Sequence, residues 1–391
     1  MQGFSFFTHR KTISMNDTKR YYAKLYWLQS AARRILLGER VGVCCRLSVP
    51  GKKVQIWGDT EERKAKYRNV VRCANVWQCP VCSNHITTAR RKELSEVMRL
   101  TPGIPIMLTF TMSHHRIDTL SESIKCLCEA WSRMVSCRQW KDAKNDASIG
   151  GYVRALEVTW SKSNGWHPHF HALFFIDCGN RIAEFYRVTR LQWQMQLETV
   201  GASCSYEHGC TLSVVDDSIE AYIAKWGHDP SPDNENTGGW GMASEATRGA
   251  LKSGRRDGLT PFQILEKYLL NGQYGPAYWG RLWREYAEAF KGKRQLSWSK
   301  NPDPRKIVGV PVTEDGEIIE GDEAGYVLLA TIEDWEWAAI IHTGSQGMVL
   351  DCASRGDNAM MKDLISDCCE QSVDVVERAM MRALDVELSD K

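Results

Sequence analysis

The sequence contains no apolar run that approaches the roughly 18–20 residues required for a membrane-spanning helix. Residues 1–15 lack a continuous apolar core, so we expect no signal peptide and predict a cytoplasmic protein with no membrane partner. The sequence also lacks the framework of a small disulfide-rich scaffold, although it contains 14 cysteines among 391 residues. These absences favour free thiols or metal ligands over disulfides.

A large excess of either charge is also missing from the chain as a whole, but the net charge of +2 is unevenly distributed. Residues 311–391 carry 19 acidic and 5 basic side chains, and therefore −14, so residues 1–310 carry +16. A body this basic indicates a polyanionic partner, for which nucleic acid is the usual candidate. Because DNA repels the acidic segment, we expect that segment to bind another partner or to screen the basic body, and we expect its deletion to leave activity in place.

Hydrophobic periodicity predicts an α+β fold for the centre of the chain. The predicted strands lie at 104–112, 152–160, 166–176 and 211–215, and the predicted helices at 120–134, 180–200 and 218–226. Their order, β-α-β-β-α-β-α, is that of a ferredoxin-like unit with an antiparallel sheet, in which the strand at 166–176 belongs to a central hairpin.

Length and composition predict three units. They are a basic N-terminal region with a cysteine cluster at 1–100, a central domain with an aromatic helical extension at 101–300, and a small acidic C-terminal unit at 301–391. In the acidic unit we expect strands near 326–332, 337–341 and 348–350 and a helix near 372–384.

Three histidines at alternate positions, His167, His169 and His171, are the most informative feature of the chain. Alternate side chains of a β-strand lie on one face, so all three imidazoles are expected to point the same way. Neutral imidazole is a common metal ligand, and two or three on one strand form half of a metal site.

Glu157 is the predicted third ligand. If the strand at 152–160 forms a hairpin with the histidine strand, Glu157 lies opposite His169 or Phe170. A carboxylate within an apolar strand is unfavourable unless it is paired or bound to a metal. His167 stays open as the alternative third ligand. A mixed imidazole and carboxylate set with open positions suits Mg²⁺ or Mn²⁺ that also binds phosphate oxygens.

A tyrosine and a lysine, Tyr222 and Lys225, lie on a predicted helix about 50 residues after the histidines. Residues three and four positions apart share a helix face, so both lie beside Trp226. An adjacent ammonium group favours the phenolate form of tyrosine. The pair therefore provides a candidate nucleophile for attack on a phosphodiester.

A separate cysteine cluster has the short spacing of a structural zinc site. Cys79 and Cys82 form a Cys-x-x-Cys motif, and Cys73 precedes this motif by six residues. The fourth ligand stays open, with three candidates: Cys44, Cys45 and His85.

The order of these motifs resembles that of the rolling-circle replication initiators (Rep) of plasmids and related phages, within the HUH endonuclease superfamily. The matching motifs are Leu-Thr-Phe-Thr at 108–111, Gly-Trp-His-Pro-His-Phe-His at 165–171 and Tyr-Ile-Ala-Lys-Trp at 222–226. Conjugative relaxases place the tyrosine before the histidines, so the order argues against them. Shorter similarities at 73–82, 244–247, 260–263 and 294–299 extend the resemblance over about residues 70–300.

The resemblance implies that residues 101–300 are an HUH endonuclease domain that nicks one strand of an origin DNA. Tyr222, assisted by Lys225, would form a 5′-phosphotyrosyl link and leave a 3′-OH primer, and the reverse reaction would rejoin the strand. The implied partners are origin DNA that is single-stranded at the nick site and a host helicase and polymerase. A homodimer stays open.

One departure from the family concerns the position after Lys225. Some relatives carry a second tyrosine or a carboxylate four residues from the first tyrosine, whereas this chain has Trp226. Ending a replication round would then require another group. The options are a water activated by Glu220 or Glu245, or a second protomer.

Two other functions fit parts of the pattern. Residues 167–173 also match the alternating histidine pattern of histidine-triad nucleotide hydrolases and transferases, which use a histidine nucleophile without a metal. A non-catalytic zinc-dependent DNA-binding protein would account for the cysteines and the basic body. Neither alternative gives Tyr222 a role.

Overall fold

The structure is a computed structural model of the chain, and it describes residues 21–177, 179–214, 258–321 and 325–380. Within these ranges the chain forms two antiparallel β-sheets with flanking helices, which confirms the predicted α+β class. The helix predicted at 218–226 lies outside the described residues. The same is true of four candidate site residues: Glu220, Tyr222, Lys225 and Glu245.

The strands and helices of the described residues are numbered here in chain order. The strands are β1 Val54–Asp59, β2 Lys64–Arg68, β3 Ile104–Phe110, β4 Ile149–Ser161, β5 Gly165–Ile176, β6 Cys210–Val214, β7 Leu296–Trp298 and β8 Val327–Ile332. The α-helices are α1 Tyr21–Ile35, α2 Pro80–Leu100, α3 Leu120–Ser136, α4 Arg138–Asp146, α5 Ile182–Thr199, α6 Pro261–Leu269, α7 Gly275–Ala289, α8 Pro304–Val308, α9 Asp315–Glu320, α10 Asp334–Thr343, α11 Gln346–Ser354 and α12 Asn358–Glu370.

The larger sheet has the strand order β6-β3-β5-β4-β7, and the first four of these strands have the ferredoxin-like arrangement predicted from the sequence. The histidine strand β5 is central. On one face of the sheet, Phe110, Phe170 and Phe174 pack against aromatic side chains of α3, α4 and α5. On the other face, α2 covers the half of β5 that follows the histidines, including Leu173 and Phe175.

The smaller sheet, β2-β1-β8, joins the N-terminal region to the acidic unit. Next to it, α11 packs closely on α1. The absence of a side chain at Gly347 permits this contact, because a Cβ atom there would lie 2.4 Å from the carbonyl oxygen of Tyr22. The buried Asp351 accepts hydrogen bonds from the backbone nitrogens of Tyr22 (2.7 Å) and Ala23 (3.0 Å), and so caps α1.

These contacts contradict the expectation that the acidic unit is dispensable. Deleting residues 311–391 would remove strand β8, uncap α1 and expose part of the core that α1 and β1 share with α10 and α11. The unit boundaries near residues 100 and 300 stay a prediction, and one sheet combines strands β1 and β2 of the first predicted unit with β8 of the third.

Three predicted elements were wrong. The predicted aromatic helical extension of the central unit is not helical throughout, because Leu296–Trp298 forms strand β7 at the edge of the larger sheet. Residues 337–341 and 348–350 lie in helices α10 and α11 instead of strands. A short apolar run does not distinguish a strand from a buried helix, and α10 begins with a capping box between Glu333 and Glu336. No helix within the described residues is long and apolar enough to cross a membrane.

Candidate metal centres

The β4–β5 hairpin brings Glu157 beside the histidines. Its turn is possible because Gly165 adopts a positive φ of 75°, and a Cβ atom there would lie 3.1 Å from Arg116 Cα. The resulting register pairs Glu157 with His169. Because directly opposed residues share a sheet face, Glu157 lies on the same face as His169 and His171.

The side chains of Glu157, His169 and His171 converge on one point. Their potential ligand atoms all lie within 4.8 Å of one another, and all three residues are buried. The Oε2 atom of Glu157 lies 3.7 Å from Nε2 of His169 and 3.8 Å from Nε2 of His171. These separations are slightly longer than the roughly 3–3.5 Å between two ligands that each lie about 2.1 Å from one ion.

The remaining ring nitrogens hold the imidazoles in this orientation. His169 Nδ1 lies 3.2 Å from the carbonyl oxygen of His167. Since a carbonyl only accepts hydrogen bonds, Nδ1 of His169 is the donor in this contact, and Nε2 is the ring nitrogen that faces Glu157. His171 Nδ1 lies 3.0 Å from the hydroxyl of Thr109 on β3. Contacts of this kind orient metal-binding histidines.

His167, the alternative third ligand, has a different partner. Its Nδ1 atom lies 3.3 Å from Nδ1 of His114, which follows β3. Burial, together with the neighbouring imidazoles His169 and His114, lowers the pKa of His167 to about 3, so its ring is neutral at physiological pH. The converging group contains Glu157 and not His167.

Thr109 and His114 were not among the residues predicted to form the site. Thr109 occupies a position inside an apolar strand, and strand parity would have identified it as a polar side chain on one face. His114 lies in a loop, where no periodic pattern specifies its direction.

Replacing Thr109 by valine should weaken Mn²⁺ binding by about tenfold, because His171 loses the hydroxyl that orients it. Thr109→Ser keeps the hydroxyl and should bind Mn²⁺ like the unmodified protein. Mn²⁺ titration followed by electron paramagnetic resonance measures both. Thr111→Val is the matched control, since the Thr111 hydroxyl bonds to the His208 carbonyl away from the site. Equal Mn²⁺ affinity for Thr109→Val and Thr111→Val would contradict this role.

Comparison with known proteins shows what part of this chain is similar to. Residues 64–194 match the family model described as a replication protein, Rep_1. The chain is 25% identical over 342 residues to "Protein rep" of Streptomyces lividans, an alignment that covers 71% of this chain and 72% of that protein. It is also 27% identical over 140 residues to "Protein rep" of Staphylococcus aureus, covering 34% of this chain and 58% of that protein. The matched segment is similar to Rep replication proteins, and we call residues 64–194 the Rep segment.

The similarity to Rep_1 and to the two Rep proteins confirms the resemblance that the motifs predicted. The Rep segment, 64–194, contains all three converging residues and three of the four cysteines described below. A further similarity, 28% identity over 148 residues, is to a "Neomycin resistance protein" of Streptomyces cyanogenus and covers 31% of this chain and 34% of that protein. No solved structure matches the chain.

A second group of potential ligands lies at the N-terminus of α2, and three of its four members belong to the Rep segment. The sulfur atoms of four buried cysteines lie within 4.8 Å of one another: Cys44, Cys73, Cys79 and Cys82. Cys44 Sγ is 3.7 Å from Cys79 Sγ and 3.5 Å from Cys82 Sγ, and Cys73 Sγ is 3.6 Å from Cys82 Sγ. A tetrahedral zinc with sulfur ligands at about 2.3 Å requires sulfur separations of about 3.8 Å. The observed distances are too long for disulfides.

The structure brings one of the three candidate fourth ligands into this group. Cys44 joins it, whereas Cys45, although its Sγ atom is 3.7 Å from that of Cys44, does not. Cys45 has a positive φ of 55°, and this reversal separates its direction from that of Cys44. His85 also lies outside the group, and burial lowers its pKa to about 3.

Proposed function

We propose that this protein is a plasmid rolling-circle replication initiator that nicks one strand of its origin. The observation that carries the proposal is the convergence of Glu157, His169 and His171 on adjacent strands of the Rep segment. A metal centre with one carboxylate, two imidazoles and open positions is suited to binding phosphate oxygens.

The chemistry follows from the donor set and from a nucleophile on the same chain. A divalent cation, Mg²⁺ or Mn²⁺, held by these three residues would polarise the scissile phosphate. The Tyr222 oxygen attacks phosphorus, the bond to the 3′ oxygen breaks, and this oxygen leaves as a hydroxyl that a host polymerase extends. Lys225 stabilises the phenolate before the attack. The energy of the broken bond is kept in the 5′-phosphotyrosyl link, so the reverse attack rejoins the strand.

The remaining partners and groups belong to the same proposal. Tyrosine can reach only an unpaired strand, so the origin is single-stranded at the nick and a host helicase extends the opening. With Trp226 in the second position, the round ends through a water activated by Glu220 or Glu245, or through a second protomer.

An exposed basic turn provides a route for the DNA backbone to the site. Lys293 and Arg294 lie between α7 and β7 and are exposed. The next residue, Gln295, accepts a hydrogen bond from the backbone nitrogen of Leu156 at 2.9 Å, directly before Glu157. Exposed basic side chains hold a DNA strand through its phosphates without reading its sequence.

The four-cysteine group is best explained as a structural Zn²⁺ site. Its sulfur separations match a tetrahedral tetrathiolate, and Cys79 Sγ accepts hydrogen bonds from Gln29 Nε2 (3.1 Å) and from the backbone nitrogen of Cys82 (3.5 Å). Such donors stabilise thiolates more than thiols. With all four ligand positions occupied by protein, the site is closed and structural.

Incubation with supercoiled plasmid that carries the cognate origin tests the proposed function. We expect open-circular product with Mn²⁺ or Mg²⁺, none with a chelator, a protein covalently attached at the 5′ end and a 3′-OH that a polymerase extends. A nucleotide hydrolase would act on small nucleotides without metal and leave the plasmid intact. A non-catalytic DNA-binding protein would shift the origin fragment in a gel without nicking it. Either result would refute the proposal.

A further inference from the structure

Two arginines flank the four-cysteine group without acidic partners. Arg33 belongs to α1 and Arg72 directly precedes Cys73. The Cys44 sulfur lies within electrostatic range of both guanidinium groups, as does the sulfur of Cys45, which is outside the four-cysteine group. Within the described residues, neither arginine forms an ion pair with a carboxylate, and Nε of Arg33 and Nη1 of Arg72 are buried without a hydrogen-bond partner.

The remaining contacts of these arginines fix their positions. Arg33 Nη2 donates to the carbonyl oxygen of Cys44 at 2.8 Å and also contacts the side chain of Gln29. Arg72 Nη2 donates to the carbonyl oxygen of Tyr67 at 3.0 Å. These neutral acceptors do not balance a positive charge. A buried charge without a counter-charge is strongly unfavourable, so the two guanidinium groups require negative charge nearby.

Four thiolates around one Zn²⁺ supply that charge. The loaded site carries a formal charge of −2, and two guanidinium groups carry +2. The zinc centre and the two guanidinium groups therefore sum to a formal charge of zero, and removing Zn²⁺ breaks this balance.

We propose that Arg33 and Arg72 are the counter-ions of a zinc tetrathiolate centre, so that metal binding and burial of these arginines stabilise each other. The proposal rests on the assignment of zinc to the four cysteines, and it adds the residues that make so negative a centre stable in the core. Arg33 and Arg72 are positioning residues, because they act through the thiolates.

The location of the centre extends the effect to the acidic unit. Tyr67, which accepts from Arg72, packs against Trp337 of α10 with ring centroids 4.9 Å apart. The Tyr67 hydroxyl donates to the carbonyl oxygen of Gln346 at 2.9 Å. Zinc removal therefore leaves unbalanced charge at the contact between the N-terminal region and the C-terminal helices.

Zinc affinity of the full-length protein, measured by competition with a chromophoric chelator, tests the proposal. We expect one Zn²⁺ per chain and affinity about 10–100-fold weaker in Arg72→Met and in Arg33→Met. Arg72→Lys keeps the charge and should stay within about tenfold of the unmodified protein, by the same principle. Arg34→Met is the matched control, because Arg34 is the exposed neighbour of Arg33 on the same helix and should bind zinc normally.

Thermal melting with and without zinc separates a counter-ion from a merely structural arginine. Each methionine variant should lower the melting temperature of the zinc-loaded protein more than that of the chelated protein, because the substitution removes a charge that balances the zinc tetrathiolate. Equal losses in both forms, or unchanged zinc affinity, would overturn the counter-ion role and leave the zinc site standing.

Two further results complete the test. A wild-type protein that binds no zinc would overturn the zinc assignment itself. If a methionine variant is insoluble, Co²⁺-substituted Arg72→Lys decides, since an intact tetrathiolate gives intense sulfur-to-cobalt charge-transfer bands. Loss of these bands in Arg72→Lys but not in Arg34→Lys would show that geometry and not charge is required, which also overturns the counter-ion role.

Discussion

Nicking of supercoiled origin DNA should fall by about 1,000-fold or more when either His169 or His171 is replaced by alanine. The expected size follows because a metal that stabilises developing charge contributes several kcal/mol to the transition state. Both imidazoles present Nε2 to Glu157, and the converging group contains no further histidine that could replace either of them. Nicking and Mn²⁺ affinity should therefore be lost together.

The contribution of Glu157 is tested with Glu157→Gln and Glu157→Ala. Both remove the negative charge, and we expect Mn²⁺ affinity to fall by about 10–100-fold or more in each. His167→Ala should keep the affinity of the unmodified protein, because His167 contacts His114 instead of the converging group.

His208→Ala is the matched control for these histidine variants, since its side chain is 80% exposed and distant in sequence from the strand. If His167→Ala loses Mn²⁺ affinity while Glu157→Ala retains it, the third ligand is His167. Normal nicking by His169→Ala would exclude the metal-assisted mechanism.

Replacing Tyr222 by phenylalanine should abolish nicking and the covalent adduct, with a loss of about 10,000-fold or more, as expected when a nucleophile is removed. Origin binding should stay nearly unchanged, because only one oxygen atom is lost. Nicking assays give the rate, gel-shift titration gives the affinity, and mass spectrometry of the trapped adduct gives the attachment site.

Tyr206→Phe is the control for Tyr222→Phe. Tyr206 is 71% exposed, and its ring stacks on the guanidinium group of Arg190, an arrangement that explains its presence without catalysis. A phosphotyrosine mapped to Tyr206 or Tyr268 would assign the nucleophile to a different element and would remove Tyr222 from the mechanism.

Local sequence patterns predicted the centre of this fold because its main contacts are local. The strands β4 and β5 form a hairpin around a short turn, so counting residues from the turn narrowed the partner of Glu157 to His169 or Phe170, and the structure pairs it with His169. The alternation of histidines fixed their common face for the same reason.

The features that the sequence did not predict depend on contacts between distant segments. Strand β7 is only three residues long and exists because Leu296–Trp298 pairs with β4. The choice of Cys44 over Cys45 depends on the backbone reversal at Cys45, which no spacing rule indicates. Likewise, Arg33 and Arg72 resemble ordinary basic residues in the sequence. Only the structure shows that each has a buried guanidinium nitrogen without a hydrogen-bond partner.

The pairing of β1 with β8 affects the order in which the two sheets can fold during synthesis. Val54 pairs with Ile332, so this strand pair cannot form until the ribosome has synthesised most of the chain. The four strands β3, β4, β5 and β6 of the larger sheet require no residue beyond 214 and can pair earlier. Local pairings form before distant ones during synthesis. A nascent chain can therefore form the sheet that carries Glu157, His169 and His171 before β8, the last strand of the smaller sheet, has been synthesised.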